Sequence, residues 1–222
     1  METETKFKHR RNKYANLFIR YFAKIVLYVF YNVIVFGRDH IPIKGPALLL
    51  PKHISNLDTF LIGVMVHNIH YRPLYFMMKA SIPSWVEKFG GIRIARPKDL
   101  RIRKSKKYSK ETNERWKASL QKNMPEYTSW LYQQGEIIVS YPEGERTPGK
   151  VGDIYTTSVE HIQQSGISIP IIPIGIEYEN KGKFGSKIFI RIGKELPITN
   201  KNPAAEIKEI IKNRLKQLSR IE

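Results

Sequence analysis

The sequence predicts an α/β fold: a single domain with one mixed, mainly parallel sheet flanked by helices, plus an N-terminal amphipathic membrane-associating helix. Three observations lead there. Short apolar runs of strand length recur at residues 47–50, 74–78, 136–141, 169–178 and 187–192, and segments of helical period interleave with them. The chain has 222 residues, of which 41% are hydrophobic. That is enough for one full core and too little for two large domains. The first 36 residues combine a dense basic charge with a broad apolar helix face.

Residues 14–31 read as a helix. Asn16, Arg20 and Lys24 recur every four residues as a narrow polar stripe, while Leu17, Phe18, Tyr21, Phe22, Ile25, Val26, Tyr28 and Val29 cover most of the rest. A wide apolar sector with a basic stripe suits an interfacial or re-entrant helix. The apolar run 25–36 falls short of the roughly 20 residues that cross a bilayer, and Arg20 and Lys24 sit inside any longer window. A true span and a soluble core helix are the alternatives. Residues 1–36 form one basic, amphipathic unit on this reading, and residues 37–222 form the main domain.

Residues 33–36 end this element or make a first strand, and Gly37 closes it. Ile41-Pro42 and Gly45-Pro46 mark turns. Residues 47–50 form a buried strand that delivers the chain to His53. A helix follows over 57–68, with Ser55 or Asn56 as its cap. Residues 74–78 and 92–94 are weak strands, and 108–134 is helical with an interruption at Pro125. The strand at 136–141 ends in the turn Pro142-Glu143-Gly144. Strands at 169–178 and 187–192 precede a last helix opened by Asn202-Pro203, with Ile207, Ile211, Leu215 and Leu218 as its buried face.

Thirty-eight Lys and Arg against twenty Asp and Glu leave a net charge of +18, which calls for an anionic partner: nucleic acid, an anionic lipid surface or a phosphorylated substrate. Residues 6–24 carry Lys6, Lys8, Arg10, Arg11, Lys13, Arg20 and Lys24 with no acid among them, and residues 93–117 carry eleven basic side chains against three acids. No nucleic-acid module is visible, and aromatic residues are not interleaved with 93–117 as a base-stacking platform needs. The chain has no cysteine, which excludes disulfides, thiolate nucleophiles and cysteine zinc sites. The N-terminus lacks a signal-peptide layout. His67 and His70 read as helix-surface residues, and no metal site is expected.

The chemistry centres on Lys52-His53-Ile54-Ser55-Asn56-Leu57-Asp58. On a continuous helix, positions five apart diverge by about 140°, so His53 and Asp58 meet only if the chain turns between them, and Ser55-Asn56 supplies that turn. A carboxylate that fixes the tautomer of an imidazole and stabilises the imidazolium makes it a general base. Without a thiol, His53 would activate a substrate hydroxyl. Taken alone, a His and an Asp at this spacing are a weak signal. Three further segments strengthen it: Lys79 followed by Gly90-Gly91-Ile92-Arg93-Ile94-Ala95-Arg96-Pro97; Tyr141-Pro142-Glu143-Gly144-Glu145-Arg146-Thr147; and Ile169-Pro170-Ile171-Ile172-Pro173-Ile174.

Together these four segments resemble the four blocks of the glycerolipid acyltransferase family, which includes the lysophosphatidate (1-acylglycerol-3-phosphate) acyltransferases. They stand in family order across residues 53–174. The resemblance implies transfer of a fatty acyl group from acyl-CoA or acyl-carrier protein to the free hydroxyl of lysophosphatidate, giving phosphatidate in phospholipid biosynthesis. It makes residues 37–222 the catalytic domain, His53 the base and Asp58 its orienting acid. Arg96 matches the arginine associated with the acceptor's phosphate, Lys79 a lysine facing the same site, and Glu143, Gly144 and Arg146 the third block, also assigned to acceptor binding. No cofactor and no metal is implied. The implied partners are an anionic membrane surface, the lysophospholipid and the acyl donor, with no nucleic acid, and the implied location is the cytoplasmic face of a membrane.

Physical reasoning agrees with these roles. Arginine grips phosphate bidentately, lysine adds a point charge, and a glycine turn lets backbone N–H groups approach an anion. Some positions depart from the family. Lys52 replaces the usual Asn, and a cation beside the base favours its neutral form. Arg93 and Ala95 replace an aromatic and an acid, and Glu145 replaces Thr. These changes open the choice of acceptor to another lysolipid or glycerol 3-phosphate.

Overall fold

The computed structural model describes residues 7–94, 124–180 and 182–221. Seven strands are described: β1 (Tyr31–Phe36), β2 (Ala47–Pro51), β3 (Leu74–Lys79), β4 (Gly91–Ile94), β5 (Ile137–Val139), β6 (Ile171–Tyr178) and β7 (Ser186–Ile192). They form one sheet in the order β1-β7-β6-β2-β5-β3-β4. Every neighbouring pair is parallel except β6 and β7, which are joined as an antiparallel hairpin. The fold is thus the expected α/β domain with a mixed, mostly parallel sheet.

Strand β2 lies at the centre, paired with β6 on one side and β5 on the other. Its sequence, Ala-Leu-Leu-Leu-Pro, is buried throughout because helices cover both sheet faces. Side chains alternate across the sheet. Ala47 and Leu49 join a core with Leu27 of α1 (Lys13–Phe30) and Leu61, Ile62 and Met65 of α2 (Asp58–His70). Leu48 and Leu50 join the opposite core with Leu131 of α3 (Met124–Gln133), Val159 and Ile162 of α4 (Thr157–Ser165), and Ile207, Ile211 and Leu215 of α5 (Ala204–Ser219).

Several boundaries differ from the sequence reading. Helix α1 stops at Phe30, and Tyr31–Phe36 pairs along β7 as an edge strand, so the last six residues of the expected N-terminal unit belong to the sheet. Helix α2 has no capping side chain from Ser55 or Asn56. Leu57 occupies the cap position, and the Asp58 carboxylate folds back to accept from the N–H groups of Ile54 and Ser55 at 2.6 and 2.7 Å. Pro125 falls at the second position of α3, where a missing N–H costs nothing. The remainder of the expected helix over 108–134 lies outside the described residues, as does most of the basic stretch 93–117. Helix α4 was unforeseen: its buried face is only Ser158, Val159 and Ile162, too sparse to give a clear period. Leu218 of α5 is half-buried rather than fully buried.

Helix α1 is turned inside out relative to an ordinary surface helix. The first two residues of its polar stripe face the protein, with Asn16 and Arg20 buried beside Ala23 and Leu27, while Lys24 is exposed. Asn16 donates to the Phe89 carbonyl at 2.8 Å, and Arg20 lies against His67 of α2 with Nη1 3.2 Å from Nδ1. The apolar sector faces outward, with Phe18 72%, Phe22 57% and Ile25 64% exposed. Among the described residues no helix is long and apolar enough to cross a membrane.

Candidate active site

Parallel α/β sheets gather ligands outside the carboxyl ends of their strands, and the singled-out residues collect there. His53 lies two residues past β2, Tyr141 two past β5, and Tyr178 and Lys79 close β6 and β3. The turn between β2 and α2 brings His53 and Asp58 together, with Nδ1 of the imidazole 2.9 Å from Asp58 Oδ2. The Asp58 side chain is fully enclosed, while His53 keeps 18% of its side chain accessible. Oδ2 also accepts the Ile54 and Ser55 N–H groups, and Oδ1 accepts the Tyr178 hydroxyl at 2.7 Å. Three donors thus fix the carboxylate that holds His53 Nδ1, and Nε2 takes no part in that contact.

Two tyrosines absent from the sequence-based site complete this arrangement. The ring of Tyr141 stacks on His53 with centroids 4.2 Å apart and 26° between planes, and its hydroxyl donates to Thr59 Oγ1 at 3.3 Å. Burial pushes both the Tyr141 and Tyr178 hydroxyls well above their ordinary range, and the Asp58 charge raises Tyr178 further. Both stay protonated, so Tyr178 serves Asp58 as a donor only. Tyr141 opens the segment Tyr141–Thr147 but has no role that the sequence alone assigns. Tyr178 carried no signal, because only the sheet order brings the end of β6 beside the start of α2.

Lys52 and Glu143 meet beside the His53 backbone as a fully buried ion pair, with Nζ 2.8 and 2.9 Å from the two carboxylate oxygens. The Lys52 charge expected to favour neutral His53 is therefore compensated at close range. Burial lowers the Lys52 ammonium from its ordinary value, and the hydrogen bond and charge of Glu143 oppose that shift. Glu143, expected to touch the acceptor, has no exposed side-chain surface. Gly144 adopts a left-handed φ of 63°, which explains the glycine, but its N–H closes the turn onto the Tyr141 carbonyl at 3.0 Å rather than pointing outward. Arg146 is exposed and donates to Asn56 Oδ1 at 2.9 Å, which puts it beside the His53–Asp58 turn. Lys79 is exposed at the carboxyl end of β3. Arg96 lies outside the described residues. Arg93 points to Glu87 at 2.8 Å. Among the described residues no group of three or more His, Cys, Asp or Glu could hold a metal ion.

A partly accessible imidazole braced by an enclosed carboxylate, at the carboxyl end of a parallel sheet, has the geometry that a general base requires. The family model described as Acyltransferase matches residues 32–177, a span that contains Lys52, His53, Asp58, Tyr141 and Glu143 and stops one residue short of Tyr178, and the chain belongs to that family. Its structure is similar to the crystal structure of the 1-acyl-sn-glycerophosphate (LPA) acyltransferase, PlsC, from Thermotoga maritima, with a TM-score of 0.62 and 21% identity over 94% of this chain and 79% of that one. At that identity the likeness concerns the fold. A comparison with curated proteins gives no match.

Proposed function

We propose that the protein acylates lysophosphatidate to phosphatidate at an anionic membrane surface, with acyl-CoA or acyl-carrier protein as donor. The observation that carries this reading is the partly accessible His53 imidazole, whose Nδ1 is held by Asp58 while Nε2 takes no part in that contact. Nε2 takes the proton of the acceptor hydroxyl as its oxygen attacks the thioester carbonyl. The carbon–sulfur bond then breaks, and the imidazolium returns the proton to the departing sulfur. The products are a carboxylate ester and a free thiol, and the proton movements need only His53. Arg146, Lys79 and, by the family pattern, Arg96 hold the acceptor phosphate.

The outward apolar face of α1 supports membrane association without a span. An anionic leaflet contributes roughly 1 kcal/mol for each nearby Lys or Arg, and Lys13 and Lys24 are exposed on that helix. The aqueous thioester and the lipid acceptor would then meet at the cytoplasmic face. A second reading, with another lysolipid or glycerol 3-phosphate as acceptor, draws on the departures at Lys52, Arg93, Ala95 and Glu145.

The test is purified protein with a labelled acyl thioester and a panel of acceptors. Lysophosphatidate is expected to be acylated fastest. Acylation of a different lysolipid in its place rejects the specific assignment. His53→Ala is expected to lower turnover by about 10²–10⁴, the contribution of a general base, and unchanged turnover rejects the mechanism.

A further inference from the structure

The buried charge beside the His53 backbone is more than a neutralised pair. Lys52 Nζ lies within 3 Å of four acceptors: both Glu143 oxygens at 2.8 and 2.9 Å, the Thr147 carbonyl at 2.7 Å and Thr147 Oγ1 at 2.6 Å. Glu143 reaches back to the other strand end, since Oε2 accepts the backbone N–H of His53 at 3.0 Å. Oε1 accepts the N–H of Gly152 at 2.8 Å and the Thr147 hydroxyl. The Thr147 N–H closes the ring by donating to the His53 carbonyl at 2.9 Å. A side chain at position 152 would meet Thr147 Cγ2 at 2.8 Å, so only glycine lets that strand of backbone seal the carboxylate.

We infer that Lys52, Glu143 and Thr147 form a positioning clamp that holds the base and the anion-binding arginine in one geometry. Lys52 immediately precedes His53. Glu143 and Thr147 flank Arg146, whose guanidinium returns to Asn56 in the His53–Asp58 turn. The loop after β2 and the loop after β5 are therefore joined through the buried charges, through the Thr147–His53 backbone bond and through Arg146. A buried ion pair is a poor source of net stability and is best attested as a device that selects one arrangement. None of the three clamp residues hydrogen-bonds His53 Nε2, so they act through His53 and Arg146. The inference rests on the reading of His53 as the base.

The experiment compares wild type with the double variant Lys52→Met/Glu143→Leu. Replacing both charges by apolar groups leaves no orphan ion, so the melting temperature is expected to fall less than in Lys52→Met alone. The His53 and Gly152 N–H groups and the Thr147 carbonyl and hydroxyl lose their partners, so turnover is expected to fall by about 10²-fold, the cost of an ångström-scale misplacement. The rate at which diethyl pyrocarbonate modifies His53, read by peptide mass mapping, is expected to rise several-fold as the imidazole loses its fixed setting. A folded double variant that keeps both turnover and modification rate overturns the inference. If that variant does not fold, Thr147→Val keeps the ion pair and removes one Lys52 ligand. It is then expected to show the same two changes, smaller, and no change in either overturns the clamp. The modification rate needs no acyl transfer, so a wild-type protein that acylates none of the acceptors defeats the catalytic reading while the clamp is still judged.

Discussion

Two cations are buried among the described residues, and they are satisfied in opposite ways. Lys52 has a carboxylate, a carbonyl and a hydroxyl within 3 Å and no accessible surface. Arg20, 8% exposed between α1 and α2, rests on a neutral imidazole at 3.2 Å and the Arg72 carbonyl at 3.4 Å. Burial and, after it, the charge of Arg11, partly offset by that of Glu136, lower Arg20 to about 10, so it remains protonated at neutral pH. The closed pair joins two loops that carry proposed site residues. The open cation lies under a helix whose other face is apolar and exposed. A counterion is spent where a geometry has to be fixed, and neutral acceptors suffice where a helix only has to be seated.

The sharpest way to break that contrast is to remove each cation alone. Lys52→Met leaves the Glu143 carboxylate buried without its partner, a loss expected to cost about 3–5 kcal/mol of stability. Chemical denaturation measures it. A loss below 1 kcal/mol would mean that water or a rearranged loop already serves Glu143, and the two cations would then be alike.

Asp58 tests the middle case, a buried anion served by backbone N–H groups, a phenol and the imidazole. Tyr178→Phe removes one charge-assisted hydrogen bond. Such bonds contribute about 1.5–3 kcal/mol, so turnover is expected to fall at least about tenfold while KM for the acceptor holds. A rise in KM with constant turnover would instead put Tyr178 in substrate binding.

How much of this was legible beforehand follows from the range of the interactions. The sheet was readable because Leu48–Leu50, Ile171–Ile174 and Ile188–Ile192 are local apolar runs. The meeting of His53 and Asp58 was readable because a five-residue turn decides it. Glu143 was readable as a site residue but not as the partner of Lys52, since the two are 91 positions apart and only the β2–β5 pairing joins them. The orientation of α1 was hidden for a related reason. Periodicity identifies its polar and apolar faces, but the side that meets the protein is set by Phe89 and His67, both distant in sequence.

Arg20→Met is expected to move stability by no more than about 1 kcal/mol. Its two hydrogen bonds are long, each net bond contributes about 1 kcal/mol, and the apolar replacement recovers burial. The same variant sharpens the seating argument if vesicle binding is unchanged, because the exposed face of α1 is left intact. A fall in stability as large as that of Lys52→Met would show that Arg20 has a counterion of its own and would end the distinction between the two sites.

The smallest effect is the most specific to the open cation. His67 carries a lowered pKa, first from burial and then from the charges of Arg20 and Lys24. It also packs edge-on against the rings of Tyr21 and Tyr71, which add no charge. As pH falls through 6.5 the unfolded chain takes up this proton before the folded one, so stability drops until the folded-state value is passed and then levels off. His67→Gln removes that titration, and Arg20→Met weakens it by removing the adjacent charge. Melting temperature measured between pH 7.5 and 5 is expected to fall less steeply in both variants than in wild type, by an amount under about 1 kcal/mol, the scale of one partly exposed charged contact. Parallel curves for all three proteins would mean that His67 does not sense Arg20, and the joint between α1 and α2 would then have no pH response of its own.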